Sequence, residues 1–276
     1  MRSRLTLVVV LALAGALTGC RDDVSVRPIE AAGPVERPAS VDHAPFTAVL
    51  QQHVDAAGHV DYAALAADPA GLDAYLGRLA ASDPSGLPED DRLAFYLNAY
   101  NAFTLRLVAD NYPIESVLDV VGGPFIPSVN SPFSVSFAVI GGEEVSLDDI
   151  EHGIIREEYD EPRIHFALVC AAISCPPLRR EAYVGDRLDA QLDDQARTFL
   201  ANADKNRVDV EAGTASFSKI FDWFKDDFGG SDDDLQRFMA RYYDGEARRQ
   251  LEAAALDVSY GPYDWSLNAQ TAPPES

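Results

Sequence analysis

The chain has 276 residues, of which 47% are hydrophobic and 24% are charged, a composition typical of globular proteins and not of disordered or collagen-like chains. It carries 45 acidic and 22 basic residues, and the net charge of −23 argues against nucleic-acid binding, which needs a surface rich in Lys and Arg. The same charge argues against electrostatic attraction to anionic lipid. We therefore expect no nucleic-acid partner.

The first residues have the layout of an export signal. Arg2 and Arg4 precede an uncharged apolar run over residues 5–17, which is shorter than the ~20 residues of a membrane-spanning helix. Cys20 directly follows Gly19, and this arrangement resembles the lipobox of bacterial lipoproteins, where signal peptidase II cleaves before a lipid-modified cysteine.

The lipobox resemblance implies a processed, lipid-anchored protein. Residues 1–19 are then the signal peptide, Cys20 attaches to the membrane through its acyl chains, and the protein lies in the bacterial cell envelope, facing the periplasm. A plain secretory signal and an uncleaved anchor are the alternatives. We predict that residues 20–45 form a flexible tether and residues 269–276 a disordered tail.

Helices are predicted over residues 46–57, 72–80 and 89–112, of which the last is the most informative. Its middle is apolar on nearly every face, which is typical of a helix in the core. Asn98, Asn101 and Thr104 form a narrow polar stripe along it. Buried amides need hydrogen-bond partners, so this stripe either bonds to a neighbouring loop or lines a ligand-binding cleft.

Residues 134–140 and 143–145 are predicted to form a hairpin around Gly141 and Gly142, and residues 146–159 a helix that begins with a capping box. Glu151 falls within the apolar arc of this helix, whereas His152 falls outside it. A carboxylate on a buried face requires a cation, a hydrogen-bond donor or a raised pKa. Glu151 is therefore the better site candidate, unless it only forms a structural ion pair with Arg106 or Arg163.

A strand is predicted over residues 163–170. On a regular strand His165 and Cys170 point to opposite faces, about 16 Å apart along the chain, and cannot form a nucleophile–base pair. Cys170 and Cys175 are separated by four residues, so a disulfide requires a turn. Four interpretations stay open for these two cysteines: a disulfide, reactive thiols, inert buried thiols and a metal site.

The remaining pattern predicts helices over 187–203, 232–243 and 246–256, short strands over 208–210, 215–217 and 258–260, and an aromatic segment over 220–228 that packs in the core. Helices alternate with strands too irregularly for a doubly wound sheet. We predict a single, helix-rich α+β domain over residues 46–268, in which a small, mainly antiparallel sheet surrounds the buried central helix.

Several segments together resemble the family called domain of unknown function 547. They are residues 93–102, 147–156, 163–170 with 174–178, 218–224 and 263–268, in that order along the chain. The architecture is also similar to papain-like and transglutaminase-like cysteine hydrolases, whose central helix starts with the catalytic cysteine. Here that helix carries Asn98 and Asn101 instead.

Two functions are compatible with these residues. The first is a cell-envelope lipoprotein whose domain binds a ligand or partner, with Asn98 and Asn101 facing it. The second is a papain-like thiol hydrolase or acyl transferase, with Cys175 or Cys170 as nucleophile, His165 or His152 as base, and Glu151 orienting the base. No Gly-x-Ser-x-Gly turn or phosphate-binding glycine loop is present, and we expect neither cofactor nor metal.

Overall fold

A computed structural model describes residues 24–121 and 131–270. The helices are α1 (Ala44–His53), α2 (Tyr62–Ala67), α3 (Ala70–Ala80), α4 (Glu89–Asn111), α5 (Arg156–Glu158), α6 (Ile164–Ala167), α7 (Leu188–Leu200), α8 (Ile220–Trp223), α9 (Asp232–Met239) and α10 (Gly245–Glu252). The strands are β1 (Ala138–Ile140), β2 (Glu143–Val145), β3 (Arg207–Asp209), β4 (Thr214–Phe217) and β5 (Asp257–Tyr260). A π-helical segment, Asp149–Ile155, leads directly into α5. Within the described residues, no helix is both long and apolar enough to cross a membrane.

Helix α4 is the centre of the larger apolar core, as its sequence predicts. Every residue from Leu93 to Ala109 is buried. Three acidic residues occupy its first turn, where they interact favourably with the helix dipole. The helix ends at Asn111 because Pro113 cannot continue it. Helices α2 and α3 pack against α4 and complete this side of the core.

The strands form two small sheets. Strands β1 and β2 make the predicted antiparallel hairpin, with Ile140 opposite Glu143 and positive φ angles at Gly141 and Gly142. Strand β4 pairs antiparallel with β3 and parallel with β5. The prediction of an α+β fold with a mainly antiparallel sheet is confirmed.

A second, aromatic-rich core lies between α7, α8, α9 and the β3–β4–β5 sheet. Phe166 from α6 is fully buried in it. The C-terminal segment then crosses to the first core, where Ser266 and Leu267 form isolated bridges with Ser116 and Ala172. This crossing places residues 263–265 beside the loop that carries Cys170 and Cys175.

The prediction of a strand over residues 163–170 is wrong, because residues 164–167 form the short helix α6. The His165 N–H bonds to the Pro162 carbonyl, and the Leu168 N–H bonds to the Ile164 carbonyl at 2.9 Å. A short apolar run does not by itself distinguish a strand from a buried helical turn. The argument that placed His165 and Cys170 on opposite faces of a strand therefore does not hold.

Residues 24–43 lie against α3 and α4, which differs from the flexible tether predicted for residues 20–45. The Ala32 N–H donates to the Gly77 carbonyl at 2.8 Å, and Glu36 forms an isolated bridge with Ser82. Apolar side chains of this segment pack on the first core, and they are Val24, Val26, Ile29 and Val41. Their apolar contacts hold the segment on the domain.

Candidate functional site

A cavity of about 150 Å³, here called the site cavity, opens between α4, the π-helical segment, α6, α8 and the C-terminal segment. It brings together five of the seven site residues that the sequence predicts within the described chain. The lining residues are Tyr100, Phe133, Asp148, Glu151, His152, His165, Leu168, Cys170, Cys175, Ile220, Trp223, Phe224, Tyr263 and Trp265. Among the described residues, no group of three or more His, Cys, Asp or Glu side chains is arranged to hold a metal ion.

Glu151 is buried on the π-helical segment, as its place in the apolar arc predicts. Burial raises the pKa of its carboxyl to about 7, while a hydrogen bond from the Tyr100 hydroxyl and the charge of Arg156 act in the opposite direction. The capping box is also present, because the Asp149 N–H donates to the Ser146 hydroxyl at 3.0 Å and Asp149 accepts from the Ser146 N–H at 2.8 Å.

Glu151 pairs with neither of the arginines proposed above, Arg106 and Arg163. Arg106 pairs instead with Asp110, at 2.5 Å, and with Asp73. Arg163 pairs with Glu161 at 2.5 Å and with Asp189 at 2.9 Å. The ion-pair alternative for Glu151 is therefore wrong as stated, and its carboxyl faces the site cavity beside a tyrosine hydroxyl.

His165 is held by a carboxylate from the distant residue Asp227. Its Nε2 lies 2.7 Å from Asp227 Oδ2, and its ring stacks on Phe224 with the centroids 4.0 Å apart. Burial lowers the pKa of His165, so the ring is neutral near pH 7 even though Asp227 raises that pKa. A neutral ring donates its Nε2–H to Asp227, which leaves the Nδ1 lone pair free to accept a proton.

Arg156 links the two histidines through the same carboxylate. Its Nε and Nη2 donate to the two oxygens of Asp227 at 2.6 and 2.8 Å, and its Nη1 lies 3.0 Å from His152 Nδ1. The bonds from His165 and Arg156 lower the pKa of Asp227 well below its usual range, although burial opposes them. Because a guanidinium only donates, His152 Nδ1 is an acceptor here and is occupied.

Cys170 and Cys175 form a disulfide, with their Cα atoms 6.4 Å apart. The disulfide is therefore the one of the four interpretations left open by the sequence that the structure shows. The chain turns back after Cys170 at Ala171, whose φ of 67° lies in the left-handed region that alanine rarely adopts. The Tyr263 hydroxyl lies 3.2 Å from Cys170 Sγ and 3.1 Å from Cys175 Sγ.

An aromatic wall, formed by Trp223, Tyr263 and Trp265, closes one side of the site cavity. The ring centroid of Tyr263 lies 4.7 Å from the centroid of each tryptophan ring, and the two tryptophan centroids are 5.9 Å apart. Sequence analysis assigned residues 220–228 to core packing, but Trp223 is 47% exposed. In the sequence, the only indication that the aromatic wall belongs to a site was that its residues lie in two of the segments that resemble the family, 218–224 and 263–268.

Asn98 and Asn101 are absent from the lining of the site cavity. Asn98 exchanges two hydrogen bonds, both 2.8 Å long, with the main chain of Tyr183. Asn101 donates to the Ala167 carbonyl at 2.9 Å and accepts from the Val169 N–H at 3.0 Å. The two amides of the stripe therefore bond to neighbouring loops, the first of the two roles predicted for it, whereas the buried Thr104 hydroxyl has no hydrogen-bond partner among the described residues. Cys20 lies outside the described residues.

Comparison with known proteins supports the resemblance over the central part of the chain. Residues 84–200 match the model of the family DUF547, described as a protein of unknown function. The matched range includes Glu151, His152, His165 and both cysteines, whereas the aromatic wall and Asp227 lie beyond it. No curated protein and no solved structure matches the chain. The papain-like architecture therefore stays a prediction.

Proposed function

We propose that the chain is a lipid-anchored protein of the bacterial cell envelope, whose domain binds a small ligand in the site cavity. One observation carries the binding proposal: aromatic rings and the buried Glu151 carboxyl line one solvent-accessible hollow. A hollow with apolar walls and a few polar groups is the usual form of a small-molecule site. A carboxyl whose pKa is strongly raised in such a hollow is a further mark of a functional site.

The lining favours a ligand with a positive group and an apolar body. The described residues that line the site cavity include two carboxyl groups, Glu151 and Asp148, and neither Lys nor Arg. Burial raises the pKa of both carboxyls, and it outweighs the charge of Arg156 on Glu151 and that of His152 on Asp148. Arg156 is nearby but donates its hydrogen bonds to Asp227 and His152. Aromatic faces attract cations as well, so an amine would interact favourably with both the carboxyl groups and the aromatic wall.

The binding proposal is tested with three probes of one shape: benzylamine, benzyl alcohol and benzoate. The two tryptophans of the chain, Trp223 and Trp265, both line the site cavity, so intrinsic fluorescence reports on it directly. We expect benzylamine to change this fluorescence at the lowest concentration. Removing the charge with Glu151→Gln should weaken its binding about tenfold, the cost of losing one charge-assisted hydrogen bond.

Glu157→Gln is the matched control, since Glu157 is exposed and belongs to the following helix α5. It should leave benzylamine binding unchanged. Equal binding of all three probes would contradict the preference for a cation, and no fluorescence change with any of them would contradict a small-molecule site.

The lipid anchor is proposed from the N-terminal pattern. Cells that express the full chain should incorporate an alkyne-labelled palmitate into it, and the protein should sediment with membranes. Cys20→Ser should remove both the label and the membrane association, whereas Cys170→Ser should remove neither. A labelled Cys20→Ser protein would contradict the assignment.

A second candidate function is thiol-dependent acyl transfer after reduction of the disulfide. It is favoured by the His165–Asp227 pair, because His165 lines the same cavity as both sulfurs and the bond from its Nε2 to Asp227 leaves Nδ1 able to accept a proton. In the reduced protein this nitrogen would take the proton of Cys175 or Cys170, as in other thiol–imidazole sites. His152 is the weaker base because Arg156 occupies its Nδ1.

The acyl-transfer candidate is tested with p-nitrophenyl acetate. Reduced protein should release a burst of nitrophenolate and carry an acetyl group on one of the two cysteines, and oxidised protein should do neither. His165→Gln should abolish the burst, while His59→Gln, at a half-exposed position, should retain it. A burst of equal size from oxidised protein would exclude a thiol nucleophile.

A further inference from the structure

The two sulfurs of the Cys170–Cys175 disulfide differ in their surroundings. Cys170 is half-buried, whereas Cys175 is only 2% exposed. Both line the site cavity, and Cys170 is the more exposed of the two to an incoming molecule. Thiol–disulfide exchange requires an approach to one sulfur while the other leaves.

Hydrogen-bond donors converge on the more buried sulfur. The Cys170 N–H donates to Cys175 Sγ at 3.2 Å, and this donor has no counterpart on Cys170 Sγ among the described residues. The Tyr263 hydroxyl lies 3.1 Å from Cys175 Sγ and 3.2 Å from Cys170 Sγ, so it is within reach of a thiolate at Cys175. Burial raises the pKa of Tyr263, so its hydroxyl keeps its proton and is able to donate. Donors of this kind stabilise a thiolate and make it a better leaving group.

A third group places positive charge near Cys175. The Lys205 ammonium donates to the Cys175 carbonyl at 2.6 Å. The bridge itself spans only five positions of sequence, and a disulfide that closes so short a loop restricts the unfolded chain much less than one that closes a long loop. Its surroundings therefore suit an exchangeable disulfide better than a purely stabilising one.

From this asymmetry we infer that the domain carries out thiol–disulfide exchange, with Cys170 as the attacked sulfur and Cys175 as the leaving thiolate. A small thiolate, R–S⁻, attacks Cys170 Sγ, and the S–S bond breaks toward Cys175 Sγ. The products are a mixed disulfide, R–S–S–Cys170, and a Cys175 thiolate. A second thiol then releases R–S–S–R and leaves two reduced cysteines, so one reduction of the bridge transfers two electrons and consumes two thiols.

Reduced glutathione is the probe for this reaction on the folded, oxidised full chain. Samples are quenched with acid, alkylated and mapped by peptide mass spectrometry, which separates Cys20 from the other two cysteines. We expect a glutathione adduct at Cys170 and an alkylated Cys175. An adduct mainly at Cys175, or reduction only under denaturing conditions, would overturn the inference.

Tyr263→Phe tests the role of the hydroxyl. Losing a donor to an ionised sulfur should slow the exchange about tenfold. Tyr260→Phe is the matched control, because the Tyr260 hydroxyl bonds to Asp232 instead, at 2.6 Å, and this variant should exchange at the wild-type rate. Equal rates in both variants would overturn the role of the Tyr263 hydroxyl in stabilising the departing thiolate, whereas the position of the glutathione adduct decides which sulfur leaves. This readout needs no ligand, so it is independent of the binding proposal.

Discussion

The charged form of Glu151 is poorly solvated, and this makes stability depend on pH. Its pKa rises from an ordinary 4.5 to about 7 on folding. Below pH 4.5 the carboxyl is protonated in both the folded and the unfolded chain, so its burial does not lower the free energy of unfolding. As the pH rises past 4.5, the unfolded chain ionises first, so the folded state loses stability until the pH passes about 7. The full loss is about 3 kcal/mol, at 1.36 kcal/mol for each unit.

Glu151→Gln should remove this dependence. We expect the free energy of unfolding of the variant, relative to wild type, to increase by about 3 kcal/mol between about pH 4 and about pH 8. Urea denaturation at a series of pH values measures it. For Glu157→Gln, at an exposed position, the difference from wild type should not vary with pH. A constant difference for Glu151→Gln would show that its carboxyl titrates normally.

Sequence reasoning reached Glu151 and not Asp227, for a physical reason. The apolar residues on either side of Glu151 are its neighbours along the helix, so the local pattern reveals its burial. Asp227 meets His165 across 62 positions of sequence. Its sequence neighbours resemble an ordinary acidic turn, and only the packing of the second core brings the two residues together.

At the scale of elements, the polar stripe of α4 anchors the loops that build the site. Asn101 bonds to the main chain on both sides of Leu168, directly before Cys170. Asn98 bonds to both the N–H and the carbonyl of Tyr183, on the loop that leads into α7. The sequence predicted that these amides need partners. It did not reveal which loop supplies them, because the same stripe is compatible with a cleft.

Asn101→Ala should therefore weaken the fold through its neighbours. It leaves the Ala167 carbonyl and the Val169 N–H buried without a partner, at about 1–3 kcal/mol for each group, so we expect a total loss of about 3 kcal/mol. Hydrogen exchange at Val169 should also accelerate. Asn111→Ala, near the exposed end of the same helix, should cost about 1 kcal/mol or less. Equal losses in the two variants would contradict the anchoring role.

Short elements were the least predictable. Helix α6 has four residues, and its apolar sequence fits a buried strand equally well. The long helix α4 was predicted to within one residue, since its periodicity extends over many turns. The location of the site thus followed from Glu151 and not from the polar stripe of α4, whose amides are absent from the cavity lining. That His165 and the two cysteines line the same cavity depended on a turn that periodicity does not resolve.

At the scale of the whole molecule, a cluster of four charged residues fastens the N-terminal segment to the core. Arg27 pairs with Asp110 and Asp73, and the same two carboxylates pair with Arg106. The side chains of Arg106 and Asp110 are only 2% and 3% exposed. Two arginines thus share two carboxylates, and loss of Arg27 leaves the buried Asp110 with one cationic partner.

This attachment matters for the proposed lipid anchor. Only residues 21–23 separate Cys20 from Val24, where the described segment begins. Four residue steps span at most about 14 Å. An acylated Cys20 would therefore hold the domain close to the membrane for as long as the segment stays bound to α3 and α4.

Arg27→Ala should loosen the segment. Breaking a partly buried ion pair while its partner stays buried should cost about 2 kcal/mol, and thermolysin should then cut residues 24–43 faster than in wild type. Arg37→Ala is the control, since Arg37 is 66% exposed and pairs with Asp83 at the surface, where an ion pair contributes about 0–1 kcal/mol. If both variants unfold at the same urea concentration and are cleaved at the same rate, the charge cluster does not fasten the segment, and its apolar contacts alone hold it on the domain.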